Sequence, residues 1–220
     1  MIAQSSRPLV ILYGASGHGK VVADIIRLRA DAALAGFIDD GKAAQGIKNF
    51  DGLPLLGGLQ ALLRFLENAD ASVIVSVGRN AARKQIADKL AQHGAAFYTA
   101  VHPAAVVARS ARLGRGTVVM AGAVVNPDVA IGEHCIINTS CSIDHDCVIE
   151  DYVHVSPGAH LAGGVRIGAL SHVGIGASIR QDIVVGMNAT IGAGSVVVTD
   201  IPDDVVAYGV PATIQRGSNG

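Results

Sequence analysis

Residues 132–149 read GEHCIINTSCSIDHDCVI. Within this stretch Ile137, Ile143 and Ile149 recur at a spacing of six, and each is preceded two positions earlier by a cysteine, Cys135, Cys141 or Cys147. Extended in both directions, the pattern holds from Val107 to Val197. Every sixth residue there is Val, Leu or Ile, sixteen positions without a break. The residue two before each is small or aliphatic, from Ala105 to Ser195, and a glycine often follows, as in Leu113-Gly114 and Ile167-Gly168. Self-similarity at this period is the signature of a hexapeptide β-helix, in which each hexad supplies one short strand and points its aliphatic residue into a narrow interior.

Composition agrees with that interior. Of 220 residues half are hydrophobic, yet only 4% are aromatic, none is Trp and 27 are Gly. The three cysteines occupy the small inward column on three successive sides, which reads as packing rather than as a metal or disulfide set; no C-x-x-C is present. The net charge of −1 offers no basic footprint for nucleic acid. The longest uncharged stretch, Ile183 to Thr199, is broken by glycines and polar residues, so no membrane span is expected. Arg7 before the run Pro8–Tyr13 resembles a weak signal peptide, but the run is short and leads directly into a glycine turn and an amphipathic helical pattern, so a cytoplasmic location is expected.

The first hundred residues follow other rules. Pro8–Tyr13, Leu34–Ile38 and Ser72–Val77 read as buried strands, and Lys20–Arg29 and Ala81–Gln92 as helices. Alternation of this kind predicts a Rossmann-like parallel sheet over 1–100, with its site at the carboxyl ends of the strands, joined by Thr99–Pro103 to the β-helix over 101–220. The turn Gly14-Ala-Ser-Gly-His-Gly19 lacks the G-x-G-x-x-G spacing. It still places backbone N–H groups and a helix N-terminus where a phosphate can bind, with Asp39 or Asp40 at the next strand end to accept from a ribose or base.

Chemistry on a packed β-helix must lie on its outside. Among eight histidines, His145 stands in Ser142-Ile-Asp-His-Asp-Cys147, two residues past an inward Ile and flanked by carboxylates. That setting fixes a tautomer and raises the ring's basicity. Cys147 offers a thiol nucleophile as an alternative, but in an inward column. His154 and His172, eighteen residues apart, raise a zinc alternative without a third ligand. A scaffold without activity is the remaining reading.

Asn138-Thr-Ser140, Ile143-Asp-His-Asp-Cys-Val148, His154-Val-Ser-Pro-Gly158, Leu161-Ala-Gly-Gly164, Tyr13–Gly19 with Ile38-Asp-Asp40, and Tyr208-Gly-Val-Pro-Ala212 together resemble the bacterial nucleotide-amino-sugar N-acetyltransferases and the sialic-acid O-acetyltransferase-like proteins. The resemblance implies a left-handed β-helix of three hexads per turn and a homotrimer with active sites at subunit interfaces. Acetyl-CoA is the implied co-substrate, with no metal, and the acceptor is the 4-amino group of a nucleotide-linked 4-amino-4,6-dideoxy sugar; a sugar hydroxyl is the competing acceptor, and a zinc carbonic anhydrase the distant one. By the same resemblance His145 is the general base, Asp146 increases its basicity, Asn138 lies beside the acceptor, and Gly163 offers an oxyanion N–H. His154, Ile175 and Ala193 align with acetyl-CoA contacts, and Gly14, Ala15, Ser16, Asp39, Asp40 and Gly78 with the nucleotide-sugar site. Thr213 stands where the family often has Lys or Arg, leaving Arg180 or Arg216 as substitutes.

Overall fold

The computed structural model describes residues 7–217. Its first part is a sheet of β1 (Leu9–Tyr13), β2 (Ala33–Ile38), β3 (Asn49–Phe50), β4 (Leu53–Gly57), β5 (Ala71–Val75) and β6 (Ala96–Phe97), in the order β3-β4-β2-β1-β5-β6. All its pairings are parallel except that of β3 with β4. Helices α1 (Gly17–Arg29), α2 (Asp40–Ala44), α3 (Leu59–Asn68) and α4 (Asn80–Gln92) connect the strands. Helix α1 starts three residues earlier than its apolar period predicts, because Ser16 Oγ caps it by accepting from Gly19 N. The segment carrying α2, β3, β4 and α3 has no counterpart in the sequence reading. The chain runs from β1 outward through β2 to β4 and then returns across to β5, so the order reverses between β1 and β5.

From Ala100 onward the chain is a three-sided left-handed parallel β-helix. Two-residue strands stack in register with the strand 18 residues away, as Val118 does with Ile136 and His154 with His172. The first sheet runs from Ala100–Val101 to Thr190–Ile191, the second from Val106–Val107 to Val196–Val197, the third from Arg112–Leu113 to Val184–Val185. An antiparallel hairpin, Val205–Gly209 with Ala212–Gly217, extends the first sheet. Both inward columns form one buried cluster from Val119 to Val197; Ala105, Val107, Ala111 and Leu113 are only partly covered, at the open end of the prism. Polar members of the small column are satisfied. Thr117 Oγ1, Cys135 Sγ, Cys147 Sγ and Ser171 Oγ each donate to the carbonyl 15 residues on.

The corners follow a rule of their own. The third residue before each inward aliphatic, from Gly116 to Gly194, has positive φ: six are glycines and the others are Asp128, His134, Ser140, Asp146, Tyr152, Leu170, Asp182 and Asn188. Glycine, Asp and Asn accept this conformation readily, whereas a bulky side chain pays roughly 1–2 kcal/mol. Tyr152 and Leu170 are the costly ones.

The α/β part covers the first sheet. Outward-facing Val118, Met120 and Ile136 share a buried cluster with Val22, Ala23, Ile25 and Ile26 of α1. Beside it His134 stacks on Tyr152, ring centroids 5.3 Å apart, with Phe97 of β6 edge-on to His134 at 4.5 Å.

Candidate active site

The strands Ser142–Ile143 and Val148–Ile149 belong to the second and third sheets, and Asp144 to Cys147 turn the corner between them. Asp146 takes φ 59° there, which brings its carboxylate back beside its neighbour's ring. His145 Nδ1 lies 2.8 Å from Asp146 Oδ2. Asp144 Oδ1 accepts from His145 N and from Asn126 Nδ2, fixing the start of the turn. The ring rests on Gly163, one coil further on. A carboxylate at Nδ1 keeps the proton on that nitrogen and leaves Nε2 with its lone pair outward. The Asp146 hydrogen bond, then the charge of Asp144, raises the His145 pKa, and 62% of the side chain is exposed. Such an arrangement can accept a proton at an exposed nitrogen.

Asn138 lies at a different corner, between the first and second sheets. Its Oδ1 accepts from Thr139 N, so Nδ2 is the donor to His154 Nε2, 3.0 Å away. The His154 proton then sits on Nδ1, which is buried without a partner. Burial, followed by the charges of His172 and Arg83, pulls His154 down to about 3. The His172 ring lies 4.7 Å from it and engages Ser156 Oγ at 2.8 Å. Ile175 and Ala193 are exposed and stacked at the Asn138 corner, where Gly194 N donates to Ile175 O. Within one chain, therefore, His145 is separated from Asn138, His154, Ile175 and Ala193. Among the described residues no group of three or more His, Cys, Asp or Glu is arranged to hold a metal.

The residues read as a nucleotide site converge at the carboxyl ends of β1 and β5, where the strand order reverses, the usual place for a ligand crevice in such sheets. Gly14 has φ 117°, and a β-carbon there would lie 2.8 Å from Ser76 O. Ser76 Oγ donates to Gly14 O, closing the turn onto β5. Asp39 accepts from Ala15 N and Lys42 N, while Asp40 accepts from Leu59 N and the Tyr13 hydroxyl. Both carboxylates thus already shape the loops around the crevice. Around Gly78 the space is open, with nothing within 4 Å of a β-carbon.

His18, in the first turn of α1, also belongs here. Its Nε2 is buried without a partner, and burial, then the Arg83 charge, pulls it down to about 4. His18 in turn adds a small lowering contribution to the pKa of His154 on the first sheet. Thr213 is exposed and bonded to Gln215, Arg180 is exposed, and the side chain of Arg216 lies outside the described residues.

Residues 9–90 match the PglD N-terminal domain family. Perosamine N-acetyltransferase from Caulobacter crescentus, solved as a histidine-to-asparagine variant with CoA and GDP-perosamine, superposes with a TM-score of 0.89 at 38% identity, covering 94% of this chain and 96% of that one. The chain belongs to this N-acetyltransferase family. The acetyltransferase domain of PglB from Neisseria gonorrhoeae in complex with acetyl coenzyme A gives 0.87 at 38% identity, over 95% of this chain and all of that one, 100%. UDP-N-acetylbacillosamine N-acetyltransferase of Bacillus subtilis is 44% identical over 114 residues, 51% of each chain, so that match spans about half the length of the curated relative. Family membership accounts for the joining of an α/β crevice to a left-handed prism.

Proposed function

We propose that this protein transfers the acetyl group of acetyl-CoA to the 4-amino group of a 4-amino-4,6-dideoxy sugar carried on UDP or GDP, in bacterial glycan assembly. The observation that carries this reading is the free Nε2 of His145, backed at Nδ1 by Asp146 on an exposed corner. The sugar's ammonium has no lone pair for attack. His145 Nε2 accepts one proton from it as the nitrogen closes on the thioester carbonyl; the C–N bond forms, the nitrogen sheds its second proton as the C–S bond breaks, and the departing CoA sulfur takes that proton. No acyl-enzyme is needed. Gly163 is the proposed backbone donor to the developing oxyanion. His154, Ile175 and Ala193 are proposed to contact acetyl-CoA, Asn138 the acceptor. Gly14, Ala15, Ser16, Asp39, Asp40 and Gly78 are proposed to hold the nucleotide. The relatives named above support the choice of substrates, since their structures hold CoA with GDP-perosamine, or acetyl coenzyme A. No helix among the described residues is long and apolar enough to cross a membrane. We place the protein in the cytoplasm, where acetyl-CoA is supplied.

The α/β part covers the first sheet, and His145 lies at the opposite corner. The base therefore meets a crevice belonging to another copy, which favours a cyclic trimer whose interfaces join unlike faces. Two inactive variants test both points. His145→Ala should lose turnover by about 10²- to 10⁴-fold while keeping acetyl-CoA affinity. Gly78→Trp should block the crevice mouth. Coassembled at equal amounts, they should regain about a quarter of the sites, because each interface takes one group from each neighbour. Full activity of His145→Ala overturns the base; verified mixed oligomers with no regained turnover overturn the shared site. Assay against UDP- and GDP-linked amino sugars and hydroxyl-only controls fixes the acceptor. Acetylation of the hydroxyl controls alone overturns N-acetylation.

A further inference from the structure

Arg83 heads the largest fully buried side chains and is 1% exposed, with no carboxylate as its partner. An unpaired buried cation survives only if its donors are satisfied. All five are. Nε donates to His134 O at 2.7 Å; Nη1 to Val77 O and Gly78 O at 2.9 and 3.0 Å; Nη2 to Asn80 Oδ1 and Tyr152 O, both at 2.8 Å. Asn80, held by that contact, donates through Nδ2 to Leu170 O at 2.8 Å and Ser171 O at 3.0 Å.

The partners divide into two sets. Val77 and Gly78 form the crevice lip after β5. His134, Tyr152 and Leu170 are successive coils of one β-helix edge, each at positive φ, 53°, 60° and 66°. Two of these are bulky residues in a conformation they disfavour, and each turns its carbonyl toward α4. A planar fork with five fixed donors can grip this arrangement; an ammonium with three cannot reproduce it.

We propose that Arg83 is a positioning residue for acetyl transfer: it locks the crevice lip to the edge of the prism, and so sets where a sugar amine held by one copy meets His145 of its neighbour. This rests on the reading under Proposed function. Its charge also reaches His18, His154 and His172, all held below the usual imidazole range.

The tests use the full chain with Arg83→Lys and, as a milder change, Asn80→Ala. Both should keep acetyl-CoA and nucleoside diphosphate affinities within about threefold while kcat falls about tenfold to a hundredfold, the sensitivity of transfer to misplacement of about 1 Å. Methylguanidinium added to Arg83→Ala should restore part of kcat, an effect that loss of folded protein does not produce. Limited proteolysis within 98–103 should quicken in all three variants, a readout independent of turnover. Wild-type kcat with unchanged proteolysis in Arg83→Lys overturns the proposal, as does a kcat loss that only tracks the folded fraction. If the wild type transfers no acetyl group yet the variants loosen the linker, the proposed function fails and the domain lock stands.

Discussion

The imidazole of His145 lies directly against Gly163, so that a β-carbon on Gly163 would come within 2.6 Å of His145 Cε1 and 2.8 Å of Nε2. The two residues are 18 apart, on consecutive coils of one corner, and Gly164 N donates to His145 O across the same step at 3.0 Å. Gly163→Ala should therefore push the ring off its seat with the coil intact. We expect kcat to fall about tenfold or more, with acetyl-CoA affinity and melting temperature little changed. A variant with wild-type kcat would show that the ring's position against the corner does not matter.

Asp146→Asn keeps a residue that tolerates positive φ but removes the carboxylate from His145 Nδ1. Since that hydrogen bond is the chief cause of the raised His145 pKa, its loss lowers the pKa. The acid limb of the pH–rate profile should move to lower pH, and the plateau should drop by about tenfold because the base is weaker and less well oriented. An acid limb that stays in place would assign it to another group.

Three imidazoles are buried in neutral form: His18 and His134, each pulled down to about 4, and His154, pulled down to about 3, with burial the leading cause in all three. In the unfolded chain they protonate near 6.5, so below that pH the unfolded state binds more protons and folding weakens. Thermal unfolding followed from pH 7 down to pH 5 should show a steady fall in stability, at most about 2 kcal/mol per imidazole by pH 5. His134→Phe, which keeps a ring on Tyr152, should flatten the curve. Equal slopes for wild type and variant would contradict the burial of a neutral His134.

Cys135, Cys141 and Cys147 are buried thiols, raised by desolvation to about 12, 12 and 11. Thiols so far above neutrality are poor nucleophiles. Replacing all three by Ala, the residue found in the same column at Ala123 and Ala159, should leave kcat unchanged. Each lost sulfur should cost about 1 kcal/mol, or about 2–4 °C in melting temperature. Loss of turnover in a folded triple variant would instead favour the thiol of Cys147.

The prism was legible because its inward columns are set by side-chain volume, and volume appears directly in residue type: Val, Ile or Leu in one column, Ala, Cys, Ser or Thr in much of the other. The corners were not. Positive φ is met by Gly in six places but by Tyr152 and Leu170 in two others, where no turn residue marks it. His145 could be singled out because Asp146 is its sequence neighbour, as could Gly14 to Ser16 and Asp39, which lie at strand ends. His18 looked like any other histidine, for burial without a partner comes from packing between domains. Arg83 was invisible for a different reason. Its partners are carbonyl oxygens, and every residue has one.

The 18-residue register makes changes of chain length discrete. An insertion of one whole coil raises everything beyond it by about 4.8 Å and leaves each residue on its own edge. An insertion of a single hexad after Tyr152 would rotate the remainder by a third of a turn, carrying Leu170 away from Asn80 and Gly163 away from His145. Natural relatives that differ in length inside the prism should therefore differ by multiples of eighteen, and a designer wishing to lengthen it can add coils beyond Ile191 without disturbing either edge.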